Sequence, residues 1–343
     1  MAKVAINGLG RIGRATLKVL LENTDLELVA VNDVVPTYNL AYLLNFDSVY
    51  GKIQKRVGND EYHLYVNNRQ IRVFNTNDPA QLPWRDMGVD IVFECTGKFT
   101  RKEDLEKHLY AGAKHVIMSI PSQNEDIVTI ISGVNSPEGE RELQIVSTGS
   151  CSANCITPIM EIISRRIGIK KAIVTTLNSF TESLSITDKP NSDLRRGRAG
   201  TNNFIPTSSE AAATTTKVLP HLKNRLNTLA VQAPVSIGSI ADITIVTERN
   251  TSVEEINGIF SQESGSQRYV GIVAVNTEPI VSSDIMMDPR ASVVDLTMTQ
   301  VVDGDLVKIM SWYDNEWGFV NQMIREARRI SQLEMKAVEF ELA

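Results

Sequence analysis

A glycine-rich turn near the start of the chain constrains the fold more than any other feature. The turn, Gly8-x-Gly10-x-x-Gly13, follows an apolar strand pattern at residues 3–6 and opens a helical pattern at residues 15–22. In such a turn, Gly8 permits the tight bend, Gly10 lets the backbone approach a pyrophosphate, and Gly13 lets the helix pack closely on the strand. The phosphates then lie at a helix N-terminus, where backbone N–H groups bind anions.

The strand that follows this helical pattern favours a particular dinucleotide. Residues 27–31 are strand-like and lead to Asp33, which lies 20 residues after Gly13. A carboxylate at this place accepts hydrogen bonds from an adenosine ribose and repels a 2′-phosphate. The pattern therefore predicts a Rossmann unit that binds NAD in preference to NADP.

Strand and helix patterns continue to alternate up to about residue 150, which predicts a parallel sheet with helices on both faces. After Cys151 a helical pattern at 152–166 precedes several β-rich runs, which predict a mixed sheet in a second domain. The expected fold class is therefore α/β, with two domains and a closing helix. They are a Rossmann domain at 1–150, an α+β catalytic domain at 151–320, and a C-terminal helix at 321–337 that completes the first domain.

Composition excludes several classes of protein. The chain has 343 residues and a net charge of −6, so it lacks the general basic character of a nucleic-acid binder. It contains no apolar stretch long enough for a membrane helix. It has three cysteines and no cluster of His and Cys at metal-ligand spacing, so we expect a reducing, cytoplasmic environment and no metal site.

Two segments of the second domain stand out. Cys151 begins a predicted helix, where the helix dipole is expected to lower the pKa of a thiol and make it reactive. By contrast, Cys95 lies in a strand pattern and is expected to be a small buried apolar residue. Residues 181–206 are long, polar and rich in arginine without periodicity, which is typical of a functional loop.

Several motifs, spread in order over residues 2 to about 330, give the chain a resemblance to the glyceraldehyde-3-phosphate dehydrogenase family. The matching stretches are Ile6-Asn7-Gly8-x-Gly10-Arg11-Ile12-Gly13, Asp47-Ser48-Val49-x-Gly51, Asp78-Pro79 to Pro83-Trp84, Glu94-x-Thr96-Gly97-x-Phe99, Ser150-Cys151-x-x-Asn154-Cys155, Asp193-Leu194-Arg195-Arg196-Gly197-Arg198-Ala199 and Ser311-Trp312-Tyr313-Asp314-Asn315-Glu316-Trp317-Gly318.

The resemblance implies a glycolytic oxidoreductase that is a homotetramer, with residues 181–206 as the S-loop that lines the cofactor site at a subunit interface. It implies that Cys151 attacks an aldehyde, that a hydride passes to NAD, and that inorganic phosphate cleaves the resulting thioester. One position of the implied cofactor site differs from the family pattern, because Asn77 stands where the family usually has arginine. The implied cofactor contacts are Asn7, Gly8, Gly10, Arg11, Ile12, Asp33, Thr96, Ser119 and Asn315.

The resemblance breaks in the catalytic pocket. Asn178 occupies the position of the family's catalytic histidine, and asparagine cannot act as a general base. Gln232 replaces a phosphate-binding arginine, and Ser209-Glu210 replaces a phosphate-binding Thr-Gly pair. The phosphate contacts that remain by resemblance are Ser150, Ser152, Thr181, Arg196 and Ser209.

Three interpretations follow from these departures. The chain is a phosphorylating aldehyde dehydrogenase that is slow or altered in its substrate. Alternatively, it oxidises another aldehyde to an acid, with Cys151 as nucleophile, Asn178 as oxyanion donor and Glu210 as the base that activates water. In the third interpretation it is a catalytically impaired NAD-binding regulatory or structural homologue.

Overall fold

The structure is a computed structural model that describes residues 1–22, 25–53, 56–66, 68–136, 143–181 and 183–341. The chain forms two compact units. Unit 1 comprises Met1–Ile130, Pro137–Gly149 and Met323–Ala343, and unit 2 comprises Ile131–Ser136 and Ser150–Gln322. Within the described ranges, no helix is both long enough and apolar enough to cross a bilayer.

Unit 1 is built on a nine-stranded sheet in the order β10-β11-β9-β8-β1-β2-β7-β6-β5. All neighbours are parallel except the pairs that β6 forms with β5 and β7. The strands of unit 1 are β1 (Ala2–Asn7), β2 (Leu26–Asn32), β3 (Phe46–Asp47), β4 (Gly51–Lys52), β5 (Val57–Asn59), β6 (His63–Val66), β7 (Arg69–Phe74), β8 (Ile91–Glu94), β9 (His115–Met118), β10 (Val128–Thr129) and β11 (Ile145–Ser147).

Four helices follow strands of this sheet, and they are α1 (Arg11–Leu21), α2 (Thr37–Asn45), α3 (Trp84–Met87) and α4 (Lys102–Tyr110). The last residue of β1, Asn7, is in register with Asn32 at the end of β2 and with Glu94 at the end of β8. Three polar side chains therefore meet at the carboxyl edge of the sheet, beside the glycine-rich turn. In open α/β sheets this edge is where ligands bind.

Unit 2 contains a mixed seven-stranded sheet in the order β13-β14-β12-β15-β18-β17-β16. Its strands are β12 (Ile169–Asn178), β13 (Ile205–Ser208), β14 (Leu226–Gln232), β15 (Ser239–Thr247), β16 (Val273–Asn276), β17 (Ser292–Val302) and β18 (Leu306–Tyr313). Its helices are α5 (Cys151–Arg166), α6 (Ala211–Val218) and α7 (Val253–Ser264), and the C-terminal helix α8 (Trp317–Glu341) begins in this unit.

Helix α5 supplies the centre of the core of unit 2. Its apolar residues Ile156, Ile159 and Met160 are fully buried in one cluster with residues of the sheet, including Val174 and Ile243. Side chains along the strands of this sheet therefore alternate between a face that packs under α5 and a face that is exposed. This alternation appears along β12, where Val174 is buried and Ile173 is 64% exposed.

The predicted α/β class is confirmed, with a largely parallel sheet in unit 1 and a mixed sheet in unit 2. Helix α1 begins at Arg11, four residues before the apolar pattern that predicted it. Residues 183–204 form turns without a helix or named strand, as the composition predicts, and Glu182 lies outside the described residues. Strand β13 takes the last two positions of the predicted loop, where Ile205 is buried beside β14.

Candidate active site

Two of the three glycines of the turn are required by close contacts within the protein, and the third is not. Gly8 has a φ of +91°, and a Cβ there would lie 2.8 Å from Thr96. A Cβ on Gly13 would lie 1.9 Å from the carbonyl oxygen of Gly8, so this position must be bare for α1 to pack on the turn. A Cβ on Gly10 would meet nothing within 4 Å, so open space lies beside the backbone at the start of α1.

Asp33, the predicted ribose contact, holds the glycine-rich turn through two hydrogen bonds. Its Oδ2 accepts a hydrogen bond from the backbone N–H of Leu9 at 2.6 Å, and its Oδ1 accepts one from Val35 at 3.2 Å. A carboxylate has about four lone-pair sites, so these two bonds leave acceptor capacity for ribose hydroxyls. The acid that is predicted to disfavour NADP therefore also fixes the glycine-rich turn.

A buried polar network lies under this turn. Glu94, which is 2% exposed, accepts hydrogen bonds from Asn7 Nδ2 at 2.6 Å and from the backbone N–H of Thr96 at 2.8 Å. His108 Nε2 lies 3.1 Å from the same carboxylate, and the indole N–H of Trp84 donates to His108 Nδ1 at 3.0 Å. Because an indole N–H can only donate, Nδ1 is the acceptor and Nε2 carries the ring proton toward Glu94.

The remaining cofactor candidates occupy varied positions. Arg11 is paired with Asp47 at 2.9 Å, and Asp47 also accepts from Lys18 at 2.9 Å. Burial raises the pKa of Asp47, but the hydrogen bonds from Lys18, Val49, Arg11 and Tyr50 outweigh burial and hold that pKa well below its usual range.

The other cofactor candidates differ in exposure. Ile12 is partly exposed, Asn77 is exposed and Ser119 is buried. Asn315 belongs to unit 2, where its Oδ1 accepts from the Ser179 hydroxyl at 2.9 Å.

These features of unit 1 fit a bound dinucleotide. The first turn of α1 contains no acidic residue, and no side chain caps its N-terminus at Gly10. Backbone N–H groups at such a terminus favour an anion. The space beside Gly10 and the carboxylate of Asp33 then suit a pyrophosphate and a ribose. The individual contacts of Asn7, Arg11, Ile12, Thr96, Ser119 and Asn315 with NAD stay predictions.

In unit 2, the candidate nucleophile lies where the sequence predicts, at the first residue of α5. The neighbouring Ser150 is the N-cap, and its hydroxyl accepts from the backbone N–H of Ala153 at 3.1 Å. The predicted lowering of the Cys151 pKa is wrong. Burial raises the pKa of this thiol, and the hydrogen bonds at the helix start, including those of Ser152, offset burial only in part.

Five polar residues form one row across the sheet under α5. Asn178 on β12 is in register with Gln232 on β14, and Ser239 on β15 is in register with Tyr313 on β18. The register of β12 with β15 pairs Leu177 with Ile240, so the next pair along these antiparallel strands is Asn178 with Ser239. The same reasoning from the β17–β18 register places Ser292 opposite Tyr313. Register partners point to the same face of a sheet.

Tyr313 fixes the orientation of the Asn178 side chain. Its hydroxyl donates to Asn178 Oδ1 at 2.7 Å, and the Ser152 hydroxyl lies 3.1 Å from the same phenol oxygen. Burial raises the pKa of Tyr313 well above its ordinary value, and a charge on Cys151 raises it further, so the phenol keeps its proton. Nδ2 of Asn178 has no hydrogen-bond partner among the described residues and is left as a donor.

Tyr313 was not among the predicted site residues, because its sequence neighbourhood, residues 313–317, is typical of a polar turn after a strand. It lies 135 residues from Asn178 in the chain. Only the pairing of β12 with β15 and of β15 with β18 brings the two side chains together. The motif that contains Tyr313 runs from Ser311 to Gly318, and Asn315 was its only residue predicted to belong to the site.

The predicted phosphate contacts do not form a cationic cluster. Glu210 is the exposed N-cap of α6 and makes no side-chain cap hydrogen bond there, while the Ser209 hydroxyl accepts from the Ala211 N–H at 3.3 Å. Arg196 donates to the Ser183 hydroxyl at 2.8 Å and lies 3.5 Å from Asp193. Thr181 is exposed and bonded to Ser183 at 2.9 Å.

Comparison with known families covers both units. Residues 2–102 match the model of the NAD binding domain of glyceraldehyde 3-phosphate dehydrogenase, and residues 150–315 match the model of its C-terminal domain. The match of the first domain confirms NAD as the cofactor that the glycine turn and Asp33 predict.

Curated relatives match over nearly the whole chain. Glyceraldehyde-3-phosphate dehydrogenase of Thermotoga maritima is 44% identical over 326 residues, which are 94% of this chain and 97% of that protein. The enzyme of Geobacillus stearothermophilus is 41% identical over 330 residues, 96% of this chain and 98% of that protein. Glyceraldehyde-3-phosphate dehydrogenase 1 of Bacillus cereus is 41% identical over 325 residues, 94% and 97%. The chain therefore belongs to the glyceraldehyde-3-phosphate dehydrogenase family.

Proposed function

We propose that the chain is an NAD-dependent aldehyde dehydrogenase that works through a thioester on Cys151, with Asn178 as the hydrogen-bond donor to the substrate oxygen. One observation carries the proposal. The Tyr313 hydroxyl donates a hydrogen bond to Asn178 Oδ1 at 2.7 Å. Asn178, at the position of the family's histidine, therefore presents its N–H donors to the substrate. Cys151 packs against the core cluster that contains Tyr313.

The residues present support the following chemistry. The Cys151 thiol releases its proton to solvent, and the thiolate forms a C–S bond with the aldehyde carbon while the carbonyl electron pair moves to oxygen. The Asn178 N–H donates to that oxygen, as amide donors do in oxyanion sites. NAD, when bound, supplies the acceptor for the hydride that leaves the carbon. The thioester is then cleaved at its C–S bond, and the thiolate is released.

Two acceptors can cleave this thioester. Inorganic phosphate gives an acyl phosphate, and water gives an acid. Glu210 is exposed at the start of α6, so a carboxylate is present on unit 2 for the hydrolytic route, although nothing in the geometry brings it to Asn178. The phosphate route is the one used by the family to which the chain belongs. The proposal covers aldehyde oxidation, and the choice of acceptor is decided by experiment.

The experiment is NADH formation at 340 nm with saturating NAD and a panel of glyceraldehyde, glyceraldehyde 3-phosphate and propanal, with and without phosphate. We expect slow but measurable NADH formation with at least one aldehyde. Dependence on phosphate identifies the acyl phosphate as product, and turnover without phosphate identifies the acid. NAD binding without NADH from any aldehyde contradicts the proposal and favours a non-catalytic NAD-binding homologue.

The rate is expected to rise with pH. Burial raises the pKa of the Cys151 thiol, so the thiol is protonated at neutral pH, and Asn178 cannot accept its proton. Below that pKa the thiolate fraction increases about tenfold per pH unit. We therefore expect kcat/KM to climb from pH 6 to pH 8.5. A flat profile over this range, measured with one aldehyde at saturating NAD, contradicts a rate set by thiolate formation.

We also propose that the chain forms a homotetramer in the cytoplasm. The outer face of the unit 2 sheet carries exposed apolar residues, including Ile173 at 64% and Leu229 at 46%. Apolar patches of this kind mark protein interfaces. The three cysteines are free, which suits a reducing compartment. Light scattering is expected to give four times the chain mass of 38.0 kDa, and a monomeric mass at micromolar concentration contradicts the assembly.

A further inference from the structure

Six buried side-chain oxygens in the described part of unit 2 have no hydrogen-bond partner, and two of them, on Gln232 and Thr207, lie on neighbouring strands beside Asn178. Gln232 is 7% exposed and Thr207 is 5% exposed. Neither Oε1 of Gln232 nor Oγ1 of Thr207 has a hydrogen-bond partner among the described residues. Buried polar groups are paired in the large majority of cases, and each unpaired one carries a desolvation cost. Two such groups near each other indicate a place for a ligand that supplies the missing bonds.

The two groups lie on the same face of the sheet, beside Asn178. Gln232 is in register with Asn178 on one side and with Ile205 on the other. Thr207 lies two residues after Ile205, so its side chain points to the same face and is diagonal to Gln232. Adjacent strands are about 4.8 Å apart, so Gln232 is within one strand spacing of the amide that faces the reacting carbonyl.

The chemistry of this pair selects a neutral partner. An amide oxygen accepts hydrogen bonds, so Gln232 Oε1 needs a donor, whereas a threonine hydroxyl can donate or accept. A single hydroxyl group satisfies both, because it donates to Gln232 and accepts from Thr207. The terminal oxygens of a phosphate ester dianion only accept hydrogen bonds, so they cannot supply the donor that Gln232 Oε1 lacks. No residue of the row formed by Gln232, Asn178, Ser239, Tyr313 and Ser292 is cationic, and neither is Ile205 beside it.

Arg196 is the one arginine among the predicted phosphate contacts. Its Nη1 donates to Ser183 at 2.8 Å, and its Nε lies 3.5 Å from the carboxylate of Asp193, which offsets part of its positive charge. A desolvated anion without a cation is costly.

We propose that Gln232 and Thr207 recognise a neutral hydroxyl of the aldehyde substrate, and that the chain acts on an unphosphorylated hydroxyaldehyde in preference to a phosphorylated one. This inference rests on the proposed aldehyde dehydrogenase function. It assigns Gln232 as the residue that determines specificity, one strand away from the oxyanion donor.

The test compares kcat/KM for glyceraldehyde, propanal and glyceraldehyde 3-phosphate at saturating NAD, in wild type and in Gln232→Met. Methionine keeps the length of the side chain and removes its amide. Wild type is expected to favour glyceraldehyde over propanal by about 10- to 100-fold, the range for one hydrogen bond to an otherwise unpaired buried group. That ratio is expected to fall by about tenfold or more in Gln232→Met.

Gln300→Met is the matched control, because Gln300 is exposed on β17 and the same chemical change there should leave all three substrates unaltered. A wild-type preference for glyceraldehyde 3-phosphate overturns the inference. So does a glyceraldehyde-to-propanal ratio that Gln232→Met leaves unchanged.

If no aldehyde is oxidised, the proposed function fails and binding alone decides the inference. Glycerol and glycerol 3-phosphate are then titrated calorimetrically into the NAD-loaded protein. Glycerol binding that Gln232→Met abolishes supports the hydroxyl site. Tighter binding of glycerol 3-phosphate, or binding of neither compound, overturns it.

Discussion

Replacing Cys151 by serine is expected to reduce NADH formation by about 10⁴-fold or more, because the proposed reaction depends on a covalent bond to this sulfur. A serine hydroxyl at the same place has no general base beside it, since Asn178 cannot take its proton. The substitution is nearly isosteric and leaves the first turn of α5 intact, with Ser150 as its N-cap. Stopped-flow or steady-state absorbance at 340 nm measures the loss.

Cys155 offers a control on the same helix. It lies one turn after Cys151, is fully buried, and its sulfur is 3.6 Å from the Ser292 hydroxyl. Cys155→Ala is expected to lower the melting temperature while each folded molecule keeps its turnover. Comparable activity losses in the two variants would indicate that Cys151→Ser acts through stability. Retained activity in Cys151→Ser would exclude the thioester.

Replacing Asn178 by histidine is expected to raise kcat/KM by about 10²-fold or more, the usual contribution of a general base. An imidazole at this position can take the Cys151 proton, so the rise of rate with pH should move to lower pH. The Tyr313 hydroxyl, now bonded to Asn178 Oδ1, is placed to hydrogen-bond one ring nitrogen and leave the other for the thiol. The pH profile of kcat/KM tests both effects.

Asn250 provides the control for this gain of function. It is exposed in the loop between β15 and α7, away from the row and from the outer sheet face proposed as an interface. Asn250→His adds the same titratable group there and should leave the rate and its pH dependence unchanged. If Asn178→His is folded, binds NAD and is no faster than wild type at pH 7, thiol deprotonation does not limit the reaction.

The Rossmann part of the fold was predictable because its signals are local. The turn at residues 8–13 requires glycine where a side chain would clash, and a Cβ on Gly13 would lie 1.9 Å from a carbonyl oxygen.

The sequence of β14 predicts a strand less clearly. Its sequence, Leu-Asn-Thr-Leu-Ala-Val-Gln, places exposed Leu229 on the outer face and buried Gln232 on the inner one, against the usual order of apolar inside and polar outside.

The candidate site was predictable as residues but not as an arrangement. The motif match singled out Cys151, Asn178 and Gln232, and the structure puts the last two in one register pair. The role of Tyr313 depends on two strand pairings that one sequence does not reveal. The thiol pKa was predicted in the wrong direction, because the helix-start position can be read from the sequence whereas the burial that outweighs it cannot.

The row under α5 has a consequence for how this protein can evolve. Its members come from five strands spaced over residues 178–313, and backbone hydrogen bonds rather than side chains hold them side by side. A single codon change in the row therefore exchanges one side chain while the backbone pairing that aligns the row stays in place. Histidine to asparagine or arginine to glutamine is such a change. New substrates can thus arise on an inherited scaffold while the loops between the strands vary in length.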